Sequence, residues 1–462
     1  MSPYIPPDHA FLKQDSLPAE SKPDELYTET PRLPYQMTHT IAFLDNENDS
    51  VVAIGDAMRT ACPDCMFVFA STYAEALDAF SHQVDVLIAP TMTASGSTLE
   101  LFAEVQNIYP KTLRIALIDR REPDLAARFS RVCNRTTATD ASPAQLAGVV
   151  RASLQLRDLL TNKSLRQLVS TLPNVPTLPE AYQKIQTELQ NDTASISSIS
   201  KIIESDPALT ARMLQLANSP MFGISGPVSC ASDAIKFLGI NTIAGLVLGH
   251  GVLSQFNQRT IRAVGLRDIF WRSTAHGQLA REVIRQQTTD QRVIEQAMTA
   301  GLLCDIGTLV LAAGKPEIMA IRSRMLAAAK AKRADQGDQC DQSIEPHTAT
   351  AFETQLETEI ETELFGFNHM QVGAMLLSSW GLPDAMVQAV AFHHCPDQCA
   401  DRGFGALAAV YISNILLANG ATPLAETIDL AYIAQLRKTD LLESWQAIPE
   451  ALQLTAQKTQ PA

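Results

Sequence analysis

Ile203-Glu204-Ser205-Asp206-Pro207-Ala208-Leu209-Thr210-Ala211-Arg212-Met213-Leu214-Gln215-Leu216-Ala217-Asn218-Ser219 is the stretch from which the fold is read. Asp206 followed by Pro207 is an N-cap with proline at the first helical position, where a missing N–H costs nothing, so a helix is predicted from Ala208 to Ala217. Asn218 to Pro227, with two Gly and two Pro, reads as a loop, and Ser229 starts the next helix through Leu238. This texture extends outward. Nearly everything from Pro179 to Leu436 reads as helix, so residues 179–436 are expected to form one all-helical domain, with 437–462 as a C-terminal tail and 158–178, closed by the Pro-containing stretch Leu172 to Leu178, as a linker.

Toward the N-terminus the pattern changes to short apolar runs alternating with amphipathic segments. Ile41 to Leu44, Met66 to Ala70, Val84 to Ala89 and Leu113 to Ile118 read as buried strands, with a weaker fifth around Cys133 to Ala138. Asn48 to Thr60, Tyr73 to Ser81, Ser97 to Ile108 and Pro123 to Val132 have the length of crossover helices. The alternation implies a parallel sheet covered on both faces, over residues 37–157. Its last helix, Pro143 to Leu160, spaces Leu146, Val150, Leu154 and Arg157 on one face, for the sheet or for a dimer seam. Residues 1–36 hold seven of the 25 prolines and are expected to be a disordered arm.

The balance of 36 Lys plus Arg against 50 Asp plus Glu, net −14, argues against nucleic acid as a partner. No membrane span is expected, because no uninterrupted apolar run approaches about 18 residues. Eight scattered Cys and a start without a secretory signal point to a reducing cytoplasm. From Ala334 to Asp401 there is no Lys or Arg but twelve acids. The 335–363 stretch is read as a solvated loop and helix face, and this part offers no cationic clamp for a phosphate.

Two regions carry residues with chemical potential. The first strand leads into Asp45-Asn46-Glu47, and carboxylates at a strand's carboxyl end can hold Mg²⁺ for phosphoryl transfer. In the helical half, His276, Asp305, His369, His393 and His394 fall where helices should converge, with His250 nearby. Neutral imidazoles and carboxylates from several helices are what a hydrolytic metal centre requires. Asp305 is expected inside one apolar helix, Ala297 to Ala313. His393-His394-Cys395 with Cys399 invites a zinc reading, but adjacent helical residues point about 100° apart, so at most one His would easily join Cys399 in a tetrahedral site, and no zinc is expected there. Cys62-Pro63-Asp64-Cys65 has no second CxxC and is read as coincidence.

With its flanks, the 37–157 region resembles a response-regulator receiver, a flavodoxin-like five-stranded fold. The resemblance rests on the strand-end acids, Asp85-Val86-Leu87-Ile88-Ala89, Tyr109-Pro110 and Ser142-Pro143-Ala144-Gln145-Leu146. It implies a phosphoacceptor Asp where this chain has Ala89 or Pro90, a switch Ser or Thr where it has Ile118, and a Lys among Thr137 to Asp140, where none occurs. A degenerate receiver follows, with Asp45 and Glu47 as its acidic remnant. The helical half resembles the HD superfamily and its HDOD branch, the HD-related output domain of bacterial signalling proteins. The resemblance rests on Leu172-Pro173, Thr177-Leu178-Pro179-Glu180, the 203–219 stretch, Ala300-Gly301-Leu302-Leu303-Cys304-Asp305-Ile306-Gly307, His369 to Gly373, Trp380-Gly381-Leu382-Pro383 and Ala389 to Pro396.

That likeness implies an all-helical fold and a signalling role. Active HD relatives use a His-Asp pair where this chain has Cys304-Asp305, and a further Asp where it has Asn414. The resemblance therefore implies a non-catalytic adaptor contacting other signalling proteins, with homodimerisation allowed. No cofactor is expected, beyond a single divalent metal at His276, Asp305, His369, His393 or His394. Arg212, Gln215 and Asn218 are candidate partner contacts beside an apolar stripe. The rival reading is a divergent metal-dependent phosphohydrolase or cyclic-dinucleotide phosphodiesterase.

Overall fold

The structure is a computed structural model that describes residues 39–44, 58–60, 62–81, 83–93, 96–119, 128–129, 132–173, 175–191, 194–222, 224, 227–257, 260, 269–337, 346–419 and 422–454. Asp45, Glu47 and residues 1–36 lie outside the described residues. Strands β1 (His39–Leu44), β2 (Cys65–Ala70), β3 (Val86–Pro90), β4 (Leu113–Ile118) and β5 (Arg135–Ala138) form an all-parallel sheet in the order β2-β1-β3-β4-β5. Residues alternate between faces along each strand. Ala42, Leu44, Leu87, Ala89 and Ala116 therefore pack under helices α1 (Tyr73–Asp78) and α2 (Leu99–Ile108), while Ile41, Phe43, Val86, Ile88 and Ile115 face the other way, against α3 (Pro143–Thr161). Ala89 is fully buried at the carboxyl end of β3, and the Pro90 carbonyl accepts the Thr98 hydroxyl at 2.5 Å.

Helix α3 starts at a capping box between Ser142 and Gln145. It serves two cores. Leu146, Val150 and Leu154 cover the sheet, whereas Ala152 and Leu156, on nearly the opposite face, enter the helical core. At its end Arg157 Nη1 donates to Asp85 Oδ1 at 2.8 Å, tying the helix to the start of β3.

The helical domain begins earlier and ends later than its sequence suggests. The expected 158–178 linker contains α4 (Lys163–Thr171), whose Leu165 is fully buried in the helical core with Leu172 beside it. A proline at 173 ends this helix without making the segment a free tether. Then come α5 (Glu180–Leu189), α6 (Ile196–Glu204), α7 (Pro207–Ala217), α8 (Ala231–Leu238), α9 (Ile240–Leu253), α10 (Ile269–Arg285), α11 (Gln291–Leu303), α12 (Ile306–Gly314), α13 (Pro316–Gly337), α14 (Pro346–Phe365), α15 (His369–Ser379), α16 (Asp384–Phe392) and α17 (Ala406–Asn419). After α18 (Leu430–Gln435), the expected tail is also partly core: α19 (Leu442–Gln446) and α20 (Ile448–Ala451) carry Trp445 and Ile448 into the same cluster, and Leu454 joins them just past α20. Removing an indole from water by about 150–250 Å² is ample reason for these residues to dock.

The segment Gln291–Gly314 is long and apolar enough to cross a membrane, and 78% of its most apolar window is buried inside the fold, as in a core helix. It is not the single helix expected from sequence: α11 stops at Leu303 and α12 starts at Ile306, with Asp305 at the break.

A buried histidine and aspartate cluster

The break at residues 304–305 is what frees Asp305 to act as a hub. As residue before α12, its carboxylate makes no capping bond and turns toward three imidazoles instead. His276 comes from the middle of α10, with Nε2 4.0 Å from Asp305 Oδ2. His393 lies just past α16, with Nε2 3.9 Å from Asp305 Oδ1. His369 is the first residue of α15, set there by a capping box between Asn368 and Gln371. Asp305, His369, His393 and His394 each present a ligand atom within 4.8 Å of the others, and His276, Cys304 and Asp305 form an overlapping second group.

Two glycines permit these approaches. A Cβ on Gly307 would lie 1.9 Å from the His369 carbonyl oxygen, and one on Gly301 would lie 2.9 Å from that of His276. Only glycine lets α12 and α11 reach the backbones of α15 and α10 this closely.

All five sequence candidates are brought together, including both adjacent histidines. The expectation that at most one of the pair would join Cys399 concerned a separate zinc site, and it assumed a continuing helix. Helix α16 ends at Phe392, so His393 and His394 sit in a turn with ring centroids 4.0 Å apart. Cys395 and Cys399 are in neither ligand group, and Cys399 Sγ accepts from Gln388 Nε2 at 2.7 Å.

Each imidazole is held differently. His393 Nδ1 lies 2.8 Å from the Val390 carbonyl, which can only accept, so Nδ1 carries the proton and Nε2 offers its lone pair to the cluster. Burial brings its pKa down to about 4, and burial likewise brings that of His276 down to about 3. His369 is the exception. Burial opposes its charge, yet the Glu361 carboxylate prevails and holds the pKa up at about 9. Glu361 accepts both from His369 Nδ1 at 2.7 Å and from its backbone N–H at 2.8 Å. Burial alone would raise the Glu361 pKa, but His369 and Arg322 bring it down to about 2.

Glu361, Arg322 and Arg272 were not legible as site residues. Glu361 falls in the acidic stretch expected to face solvent, but is fully buried, with Arg322 Nε donating to it at 2.8 Å and Glu357 paired to the same guanidinium. Arg272 stands one turn before His276 on α10 and places Nε 3.5 Å from Asp305 Oδ2. That spacing was the available signal. Burial would raise the Asp305 pKa, but Arg272 and the histidines hold it well below the usual carboxylate range.

The two positions that depart from the HD pattern meet on one side of this hub. Cys304 Sγ donates to the Gly301 carbonyl at 3.2 Å and faces Asn414 Oδ1 at 4.0 Å. Burial pushes the Cys304 thiol well above its ordinary pKa, so it is neutral.

The donor set suits one divalent ion. His276 Nδ1 and Nε2, His369 Nε2 and His393 Nε2 are buried without a hydrogen bond. Imidazoles with a carboxylate match Zn²⁺ or Fe²⁺ preferences, and Glu361 behind His369 is the kind of outer carboxylate that orients a ligating imidazole.

Of the candidate partner contacts, Asn218 is used internally. Its Nδ2 donates to the Leu214 and Val228 carbonyls and its Oδ1 accepts from Val228 N–H, all at 2.8 Å, fastening α7 to the loop before α8. An amide with both ends engaged is not free to recognise a partner. Arg212 Nη1 donates to Gln215 Oε1 at 2.6 Å on the outer face of α7.

Fold and site together define an all-helical domain that gathers histidines around an aspartate at a helix break, preceded by a parallel-sheet domain. Residues 175–344 and 340–396 match the model of the HDOD domain, and the chain carries an HDOD domain over this region. An uncharacterized protein of Treponema pallidum (strain Nichols) is 24% identical over 236 residues, which are 51% of this chain. The matched region is only 40% of the length of that relative. Among solved structures, a "putative signal transduction protein" from Marinobacter aquaeolei VT8 is 18% identical, covering 78% of this chain and 84% of that one, with a TM-score of 0.46. An HDOD domain protein with unknown function from Geobacter sulfurreducens is 17% identical, covering 66% of this chain and 98% of its own, with a TM-score of 0.43.

Proposed function

We propose that this chain is a cytoplasmic signalling adaptor in which a degenerate receiver and an HDOD domain act by binding other signalling proteins, without catalysis. The observation that carries this reading is the company Asp305 keeps. A two-metal hydrolase needs bridging and terminal anionic ligands to hold both cations and activate water. Here the thiol grouped with Asp305, that of Cys304, is neutral and is itself met by the Asn414 amide, and Asp305 Oδ2 is met by the Arg272 guanidinium. A fixed cation beside the carboxylate opposes a second metal there. In the sheet domain, Ala89 and Pro90 at the end of β3 offer no nucleophile, which favours a receiver-like module used for contact.

A second reading has its own support in the unbonded Nε2 atoms of His276, His369 and His393: a metal-dependent phosphohydrolase acting on a nucleotide or cyclic dinucleotide. Metal analysis of protein purified without chelator, followed by assays on bis-p-nitrophenyl phosphate and cyclic dinucleotides, separates the two. The adaptor reading expects at most one ion per chain and no turnover. Two ions per chain, with turnover that disappears in Asp305→Asn, would establish the hydrolase instead.

A further inference from the structure

The segment that carries His393 and His394 is also the segment on which the sheet domain rests. The two histidines occupy a turn between α16 and a short 3₁₀ turn at Pro396–Gln398. From β5, Arg135 Nη1 donates to Gln388 Oε1 at 2.5 Å, and Nη2 pairs with the Asp401 carboxylate. Gln388 also donates to Cys399, so one guanidinium reaches both limbs of the segment. From α3, Gln155 Oε1 accepts the Ala400 N–H at 3.1 Å and Gln155 Nε2 donates to the Gln398 carbonyl at 3.3 Å. About two turns earlier on α3, a Cβ on Gly148 would lie 2.9 Å from the Ala400 carbonyl oxygen.

We propose that this face is an internal clamp: through Arg135, Gln155 and Gly148 the sheet domain sets where His393 and His394 stand relative to Asp305. Residues in a turn lack the continuous ladder that fixes a helix, so their position follows whatever holds the flanking limbs. One limb is anchored in α16; the other, residues 396–401, is gripped by the sheet domain. The Arg135 and Asp401 side chains are only 17% and 18% exposed, so each needs the other, because a partly buried charge without its partner is costly. Displacing the sheet domain therefore reshapes the histidine cluster. The inference holds whether that cluster takes a metal, a partner protein or neither, and it gives the two domains a route of communication.

The test uses the full chain with Arg135→Glu, Asp401→Arg, the double variant and Gly148→Leu. Amide exchange is followed by mass spectrometry over residues 384–401 and over α9 as an internal control, and labelling of His393 and His394 by diethyl pyrocarbonate is measured alongside. Either charge reversal should raise exchange over 384–401 and labelling of the two histidines about tenfold, with α9 unchanged, and the double variant should return toward wild type. Gly148→Leu, which adds bulk and no charge, should give the same opened state if α9 stays protected. The clamp is overturned if the charge reversals leave both readouts at wild-type levels, if their effects simply add in the double variant, or if 384–401 opens while labelling of the histidines stays unchanged.

Discussion

Replacing Glu361 by Gln should destabilise the helical domain strongly and invert the charge state of His369. The carboxylate contacts His369 Nδ1 at 2.7 Å, His369 N–H at 2.8 Å, Arg322 Nε at 2.8 Å and Arg322 Nη2 at 2.7 Å, all at a position with no exposure. Breaking a buried pair by removing one partner costs about 3–5 kcal/mol. The linkage figure agrees: moving His369 from 6.5 to about 9 corresponds to about 3 kcal/mol. At roughly 2–4 °C per kcal/mol for a unit of this size, the variant should melt about 6–20 °C lower.

The pH dependence has a definite sign. His369, with its pKa raised, contributes stability that is complete below about 6.5 and lost as pH rises through about 9. Glu361, with its pKa lowered, contributes stability present above about 4.5 and lost as pH falls through about 2. The gap between wild type and variant should thus be widest near pH 5–6.5 and narrow toward 9. In the variant, burial then governs His369, and its pKa should fall below 6.5, as it does for His276 and His393. Urea unfolding across pH, with imidazole titration by NMR, measures both. A Glu361→Gln protein within about 0.5 kcal/mol of wild type, with His369 still protonated at pH 8, would refute the reasoning.

Three further outcomes are expected. Arg272→Met should raise affinity for a single Zn²⁺ or Co²⁺ about tenfold, since it removes a half-exposed cation 3.5 Å from Asp305; unchanged affinity by calorimetry or by the cobalt absorption spectrum would count against that role. Asp384, whose pKa burial pushes up to about 6 against the pull of Arg135 and Arg114, should be costly when charged. Its contribution is favourable below about 3.8 and lost as pH rises from there through about 6, so Asp384→Asn should stabilise the protein by about 1–2 kcal/mol at pH 8, by roughly half as much at pH 5 and by almost nothing at pH 3, read by urea unfolding at the three values. Trp445→Ala should cost about 3–5 kcal/mol because the indole is fully buried; a loss under 1 kcal/mol in the same assay would mean that the C-terminal helices are dispensable.

Much of the architecture follows from one-dimensional pattern. Strand runs such as Leu113 to Ile118 alternate between two buried faces, and Asp206-Pro207 starts a helix, because both signals act over a few residues. The set His276, Asp305, His369, His393 and His394 was legible as a group through its order along the chain and the resemblance of its flanks to the HD superfamily, although Asp305 lies at a helix break and His393 and His394 in a turn.

What no local pattern carries is which charges end up inside and which segments end up joined. Glu361 has the composition of a solvated helix face, and only the packing of α13 and α14 against α15 turns it into the buried partner of His369. Trp445 and Leu165 looked like tail and linker because their helices are short, and it is tertiary burial that recruits them. Helix α3 showed one apolar stripe in sequence, while its second set, Ala152 and Leu156, acquires meaning only against the helical domain. The sequence alone settled the buried strand runs and the helix start at Asp206-Pro207, since backbone propensity and hydrophobic period are short-range. The tertiary structure alone decided the break at Asp305, the pairing of Glu361 and the seam at Arg135, since these depend on contacts between residues tens to hundreds of positions apart.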